Sequence, residues 1–290
     1  MSVATLPSEP IGSAGRLSGV QGAAEIGFAL KQGATRLNHL YQHDPLRVMF
    51  PTPPAGEPPC AVLVTTSGGM VGGDRLDISV TAGPKTTAMA MAQAAEKVYR
   101  SAGEDSSINV RLSVGKNSWL EWLPQETILF DGARLCRRTV IDLEPDARIL
   151  AGEILVFGRI ASGERLSQGL VREAWELRRD GRLAWADALH LESPMDDIFA
   201  NPACFDGATA MATAVYADDD AAQYLEQART LLGEGADNLR CAATVVNGVL
   251  VMRWLGRDAQ SLRRAFGEFW AAFREASAGL PPTLPRLWNI

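Results

Sequence analysis

Acidic side chains and glycines are the residues of this sequence whose placement could support chemistry. Asp74, Glu96, Glu121, Glu126, Asp131, Glu153, Glu164, Asp187 and Glu192 fall in or beside strand-like segments, and most acids in such positions simply face water. Glu121 stands between Trp119-Leu120 and Trp122-Leu123, and Glu153 between Leu150 and Leu155, which suits partial enclosure beside a polar cavity. The plainer reading places both on the outer face of a strand. As a carboxylate pair for hydrolysis, Glu121 with Glu126 or Glu153 would supply acid and base, yet no positioned nucleophile or metal triad accompanies them.

The segment Ser67-Gly68-Gly69-Met70-Val71-Gly72-Gly73-Asp74 suggests a phosphate cradle at first sight. It fails in detail. Asp74-Arg75 follow the last glycine where a P-loop needs Lys and Ser or Thr, the spacing is not G-x-G-x-x-G, and the next segment alternates as a strand. What is left is a glycine hairpin or bulge, with Asp74 and Arg75 free to lock it or to meet a partner. His39 and His43 have the i, i+4 spacing of half a zincin site, but Leu40 follows His39 where the catalytic Glu would stand. Along a strand four residues span about 13 Å, too far for one metal. With His190 as the third and last histidine, neither a three-histidine cage nor a Ser-His-Asp set can be assembled, and G-x-S-x-G is absent.

The elements that must position these groups alternate with period two from Ala23 to about Leu191. Leu76, Ile78 and Val80 oppose Asp77, Ser79 and Thr81, and Ile108, Val110, Leu112 and Val114 oppose Asn109, Arg111 and Ser113. Turn signals such as Gly83-Pro84 and Asp180-Gly181 recur, and no long helical pattern separates the strands. The fold class expected is mainly β, an antiparallel strand-rich body, with a small α part of about two helices near the C-terminus. Asp218 to Asp220 and the apolar spacing after them predict a helix over 219–232. Asn247-Gly248 between two β-prone runs predicts a tight hairpin. Asp258 caps a second expected helix over 258–276, whose stripe Leu262, Phe266, Phe269, Trp270 and Phe273 suits a core.

The chain has 290 residues, 47% hydrophobic and 21% charged, enough to bury a large core and too apolar for wholesale disorder. Residues 1–18 lack hydrophobic period and read as a flexible leader, with 19–290 as a single β-rich domain. A net charge of −6 without a basic run argues against nucleic acid or a membrane surface as partner. With no secretion signal and no apolar span, a cytoplasmic location is expected. Cys60, Cys136, Cys204 and Cys241, widely spaced, suit reduced thiols rather than a disulfide frame.

From Gly22 onward the chain resembles the urease accessory protein family UreD, called UreH in some bacteria. The segments that carry the resemblance are Pro45-Leu46-Arg47-Val48, the glycine segment through Leu76, Lys97-Val98-Tyr99-Arg100-Ser101 and Trp119 through Glu126. Gly152-Glu153, Gly158 through Glu164 and the closing Pro285-Arg286-Leu287-Trp288-Asn289 follow in order. Where Met91, Ala92 and Glu96 stand, the family commonly has threonines. The resemblance implies a mostly β, non-enzymatic maturation factor of the metallochaperone type. Such a factor binds UreF, reaches the GTPase UreG through it, docks on the urease apoprotein and passes nickel to the urease active site. No permanent cofactor is implied, only transient Ni²⁺.

A conduit must hold nickel weakly. Imidazole and thiolate cages bind it strongly, whereas carboxylates, carbonyls and water compete poorly, so few histidines and many acids suit passage over storage. On this basis Asp74, Glu121, Glu153 and Glu164 are expected to line or gate a water-filled path between the UreF side and the urease side. Partner binding should use apolar patches, with the late helices as candidates.

Overall fold

The computed structural model describes residues 19–235 and 237–289, so the leader expected over residues 1–18 lies outside the described residues. A seven-stranded sheet carries, in spatial order, β14 (Arg182–Glu192), β13 (Leu170–Arg179), β11 (Arg134–Leu143), β8 (Ser106–Val114), β5 (Arg75–Ala82), β1 (Gln21–Lys31) and β2 (Ala34–His43). A ten-stranded sheet runs β16 (Leu239–Val246), β17 (Val249–Gly256), β15 (Ala210–Ala217), β12 (Arg148–Phe157), β9 (Trp119–Leu123), β6 (Thr87–Ala92), β4 (Cys60–Thr65) and β3 (Leu46–Met49). Its last two strands, β10 (Thr127–Leu129) and β7 (Glu96–Val98), branch from β12.

The mainly β class and the late helices agree with the sequence, but the sheets are mixed rather than antiparallel throughout. β5, β8, β11 and β13 pair in parallel, as do β4, β6, β9 and β12. From β4 to β13 the chain passes back and forth between the sheets, so each parallel crossover is made by a strand of the opposite sheet. Parallel pairing needs a crossover of a dozen or more residues, usually a helix, and here a strand fills that role. The absence of helical period therefore did not require antiparallel partners. Antiparallel hairpins close both ends, β1 with β2 and β3 with β4 at one, β13 with β14 and β16 with β17 at the other.

Inward-facing residues of both sheets, among them Ile26, Val80, Leu112, Ile141, Trp175, Trp122, Ala151 and Val251, form the inter-sheet core. The other face of the ten-stranded sheet buries α2 (Leu225–Leu232) and α3 (Ala259–Ala278) in a second core. Leu262, Phe266, Phe269, Trp270 and Phe273 are all buried there, as their spacing predicted, and each contributes about 2 kcal/mol on burial. Asp258 caps the helix by accepting a hydrogen bond from Ser261 N–H. A Cβ at Gly152 would lie 2.6 Å from Phe266 Cζ, so glycine lets α3 settle on β12. The expected first helix is shorter than its span, a 3₁₀ turn over Ala221–Tyr224 leading into α2. Asn247 and Gly248 both have positive φ, as the hairpin between β16 and β17 demands. The five-residue α1 (Asp196–Ala200) had no sequence signal strong enough to predict it.

Candidate functional site

Parallel pairing and the period of two put a group of polar side chains into the inter-sheet core. On β11 the inward positions are Leu135, Arg137, Thr139 and Ile141, and on β13 they are Val171, Glu173, Trp175 and Leu177. Arg137 and Glu173 are direct register partners. Arg137 Nε donates to both oxygens of Glu173 (2.9 and 2.8 Å), and its Nη1 donates to Thr127 Oγ1 (2.9 Å) and lies 2.8 Å from Glu153 Oε2. Trp122 Nε1 donates to the other oxygen of Glu153 (3.2 Å). All three charged side chains are at most 5% exposed.

Beside this group lies a cavity of about 90 Å³ between the sheets, bordered by Arg137, Glu153, Thr127, Gln125, Glu96 and Thr65 together with apolar neighbours such as Leu76 and Trp122. The volume holds several waters. Glu96, half-buried, accepts a hydrogen bond from Thr65 Oγ1 (2.6 Å) and is held above the usual carboxylate range, first by burial. Burial likewise raises Glu153, with Arg137 and Trp122 pulling it only partly back. Glu173 is pushed up to about 8 by burial, against the pull of Arg137 and with the added repulsion of Glu153. Burial opposes the charge of Arg137, but Glu153 and Glu173 outweigh it and hold the guanidinium firmly protonated. Arg137 Nη2 and Thr139 Oγ1 are buried without a hydrogen-bond partner, and Glu153 Oε2 has no well-aligned donor.

Of the four acids expected along a path, Glu153 borders this cavity; the four do not gather. Asp74, 5% exposed, accepts from Val20 N–H (2.7 Å) with one oxygen and from Val71 N–H (2.8 Å) with the other, so it locks the glycine segment. It stands close enough to Glu96 for its charge to add to that group's upward shift. Glu164 is at the surface, where it accepts from Asp131 N–H (2.8 Å) and from Arg159 and pins the turn after β12. Glu121 faces the helices. In the β9–β12 ladder it lies opposite Leu150, so Glu153, an odd number of residues further, points to the other side of the sheet. That removes the Glu121 and Glu153 pair as a hydrolytic dyad, and Glu126 is held by Arg263 Nε at 3.1 Å.

Glu121 belongs instead to a second buried group around Arg274 of α3. Arg274 Nε donates to both Glu121 oxygens (3.1 and 3.0 Å), and Nη2 donates to Glu57 Oε2 (2.8 Å) and Glu121 Oε1 (3.0 Å). Its Nη1 donates to Glu57 Oε1 (2.9 Å) and to the carbonyls of Pro281 (2.9 Å) and Thr283 (2.8 Å). Trp119 and Trp270 Nε1 donate to Glu121 as well (3.0 and 2.8 Å). Cys60, beside these carboxylates, has its thiol pushed up to about 12 by burial and by Glu121 and Glu57, which makes it a poor metal ligand.

Reading the sequence missed Arg137, Glu173 and Arg274. Their signal was there: each is a charge standing in the apolar phase of its own element. Among the described residues, no three His, Cys, Asp or Glu side chains converge as a metal-binding group, and no helix is long and apolar enough to cross a membrane. His39 and His43 sit on exposed β2, where His39 meets Glu25 (3.0 Å) and His43 meets the Gln21 carbonyl (3.0 Å).

The family model described as UreD urease accessory protein matches residues 20–289. A protein of Magnetococcus marinus named urease accessory protein UreD is 49% identical, with 100% of this chain and 99% of that protein covered. Proteins of the same name from Xanthobacter autotrophicus and Azorhizobium caulinodans are 43% and 39% identical, covering 92% and 93% of this chain and 89% and 96% of theirs.

Proposed function

Because the chain belongs to the UreD family of urease accessory proteins, we propose that it acts in urease maturation as a metallochaperone-type scaffold, bridging UreF and UreG to the urease apoprotein and passing Ni²⁺ to the urease active site. Nickel is cargo in this reading. The observation that carries it is the buried carboxylate of Glu153, which with Glu96, Thr65 and Thr127 gives an otherwise largely apolar inter-sheet cavity an oxygen-lined side and room for about three waters.

The physical logic is one of weak ligands. Carboxylates and hydroxyls such as Glu153, Glu96, Thr65 and Thr127 offer hard oxygen donors, which a borderline ion exchanges readily. The pathway acids are thereby revised: Glu153 and Glu96 face the cavity, while Asp74 locks the glycine segment, Glu164 pins a surface turn and Glu121 fastens α3 on the other face of the sheet. The partner-facing surfaces of such a scaffold bury roughly 800 Å² on each side.

The test is urease activation in cells lacking this chain and supplied with Glu153→Gln. Urease activity and urease-bound nickel should drop at least about tenfold, while UreF, UreG and urease subunits still co-purify with the variant. Wild-type activation by a folded Glu153→Gln chain would remove the cavity from the reading. Failure of the wild-type chain to capture any of the three partners would remove the bridging role.

A further inference from the structure

We propose that Arg137 is a built-in counter-ion that keeps the inter-sheet cavity from trapping a divalent cation, by occupying the space between Glu153 and Glu173 that such an ion would fill. The inference deepens the nickel reading above and rests on it for the identity of the cation.

One guanidinium touches both carboxylates, Glu173 through Nε at 2.9 and 2.8 Å and Glu153 through Nη1 at 2.8 Å. Thr127 Oγ1 accepts from the same Nη1 at 2.9 Å. If Arg137 were absent, two buried carboxylates and a hydroxyl would converge on the vacated volume. That is an oxygen-donor site with a surplus of negative charge, and in a poorly screened interior such a site either takes up protons or recruits a cation. With Arg137 in place, an ion in the cavity meets carboxylates whose charge is already largely compensated, and a fixed positive charge repels it.

A second observation separates this group from a closed structural ion pair. Arg137 is 5% exposed and borders the cavity, yet its Nη2 has no partner, and neither does Thr139 Oγ1 one inward position farther along β11. A purely structural ion group buries such atoms satisfied, because each orphan is costly. The comparison within the molecule is direct: all three nitrogens of Arg274 donate to protein acceptors. Arg137 thus holds both carboxylates while its Nη2, a donor that fits water and repels a cation, is left over beside the cavity.

The experiment is calorimetric titration of NiCl₂ into the purified full chain, wild type beside Arg137→Gln, with circular dichroism and thermal unfolding to establish folding. The expected result is one Ni²⁺ per Arg137→Gln chain, bound at least about tenfold more tightly than by wild type, with the gain abolished in Arg137→Gln/Glu153→Gln/Glu173→Gln. Equal affinity in wild type and folded Arg137→Gln overturns the proposal. So does a gain that persists in the triple variant. Should Arg137→Gln not fold, Arg137→Lys keeps the buried charge but engages one carboxylate at a time. It should show a smaller gain in the same direction, and unchanged affinity overturns the proposal. Full urease activation by Glu153→Gln would instead sink the nickel reading, and leaves the calorimetric comparison standing.

Discussion

The two faces of the ten-stranded sheet each bury an arginine between two glutamates, and they satisfy it to different degrees. On the helical face Arg274 is 0% exposed, and it ties β9, the loop at Glu57 and the carbonyls at Pro281 and Thr283 into one solid joint. On the inter-sheet face Arg137 holds Glu153 and Glu173 beside a cavity, with one nitrogen left over. The residue types are the same, and what separates the two groups is the fate of the remaining bonds. A fully satisfied group resists movement, whereas orphaned atoms beside open volume invite an exchangeable ligand.

The comparison is broken most forcefully at Arg274. Arg274→Met leaves Glu121 and Glu57 without their shared cation and frees the closing segment, so urea unfolding should show a loss of about 3–5 kcal/mol. A loss below about 1 kcal/mol would mean that the joint is not structural.

Next in size is the crossed pair of carboxyl substitutions. Glu121→Gln weakens bonds from Trp119, Trp270 and Arg274 and should cost about 2–3 kcal/mol of stability, with urease activation following the amount of folded chain. Glu153→Gln should change stability by less than about 1 kcal/mol while abolishing most activation. The reverse pattern would exchange the roles of the two faces.

A pH effect sharpens the electrostatics. Glu173 has a folded pKa of about 8 against an ordinary 4.5, so its contribution to stability is fully present below 4.5 and is lost as the pH rises through about 8. Glu153 and Glu96 shift in the same direction. Asp131, Glu164 and Asp258 are lowered below their ordinary values and lose their contributions only as the pH falls further. Thermal unfolding between roughly pH 5 and 8 should therefore show a downward slope worth about 3 kcal/mol in wild type, and Glu173→Gln should flatten it. An unaltered slope would place the titration elsewhere. Smallest, Asp258→Ala should cost about 1 kcal/mol through the lost cap of α3, leaving urease activation per folded chain unchanged.

What the sequence by itself determined was local. Period-two alternation marked β5 and β8, Asn247-Gly248 marked the hairpin, and Asp258 with the stripe from Leu262 to Phe273 marked α3, because each rests on contacts within a few residues. The ordered segments from Pro45-Leu46 to Trp288-Asn289 likewise marked the family. Tertiary structure decided the rest. Parallel pairing through strand crossovers joins β4 to β6 and β5 to β8 across turns of chain that carry no pairing code. Which acids meet was also settled there: Glu121 and Glu153 have similar apolar flanks, yet register sends them to opposite faces of one sheet. Whether a carboxylate borders water or fastens a helix depends on partners such as Arg137 and Arg274, which lie 16 and 153 positions away, and no local pattern encodes such distant neighbours.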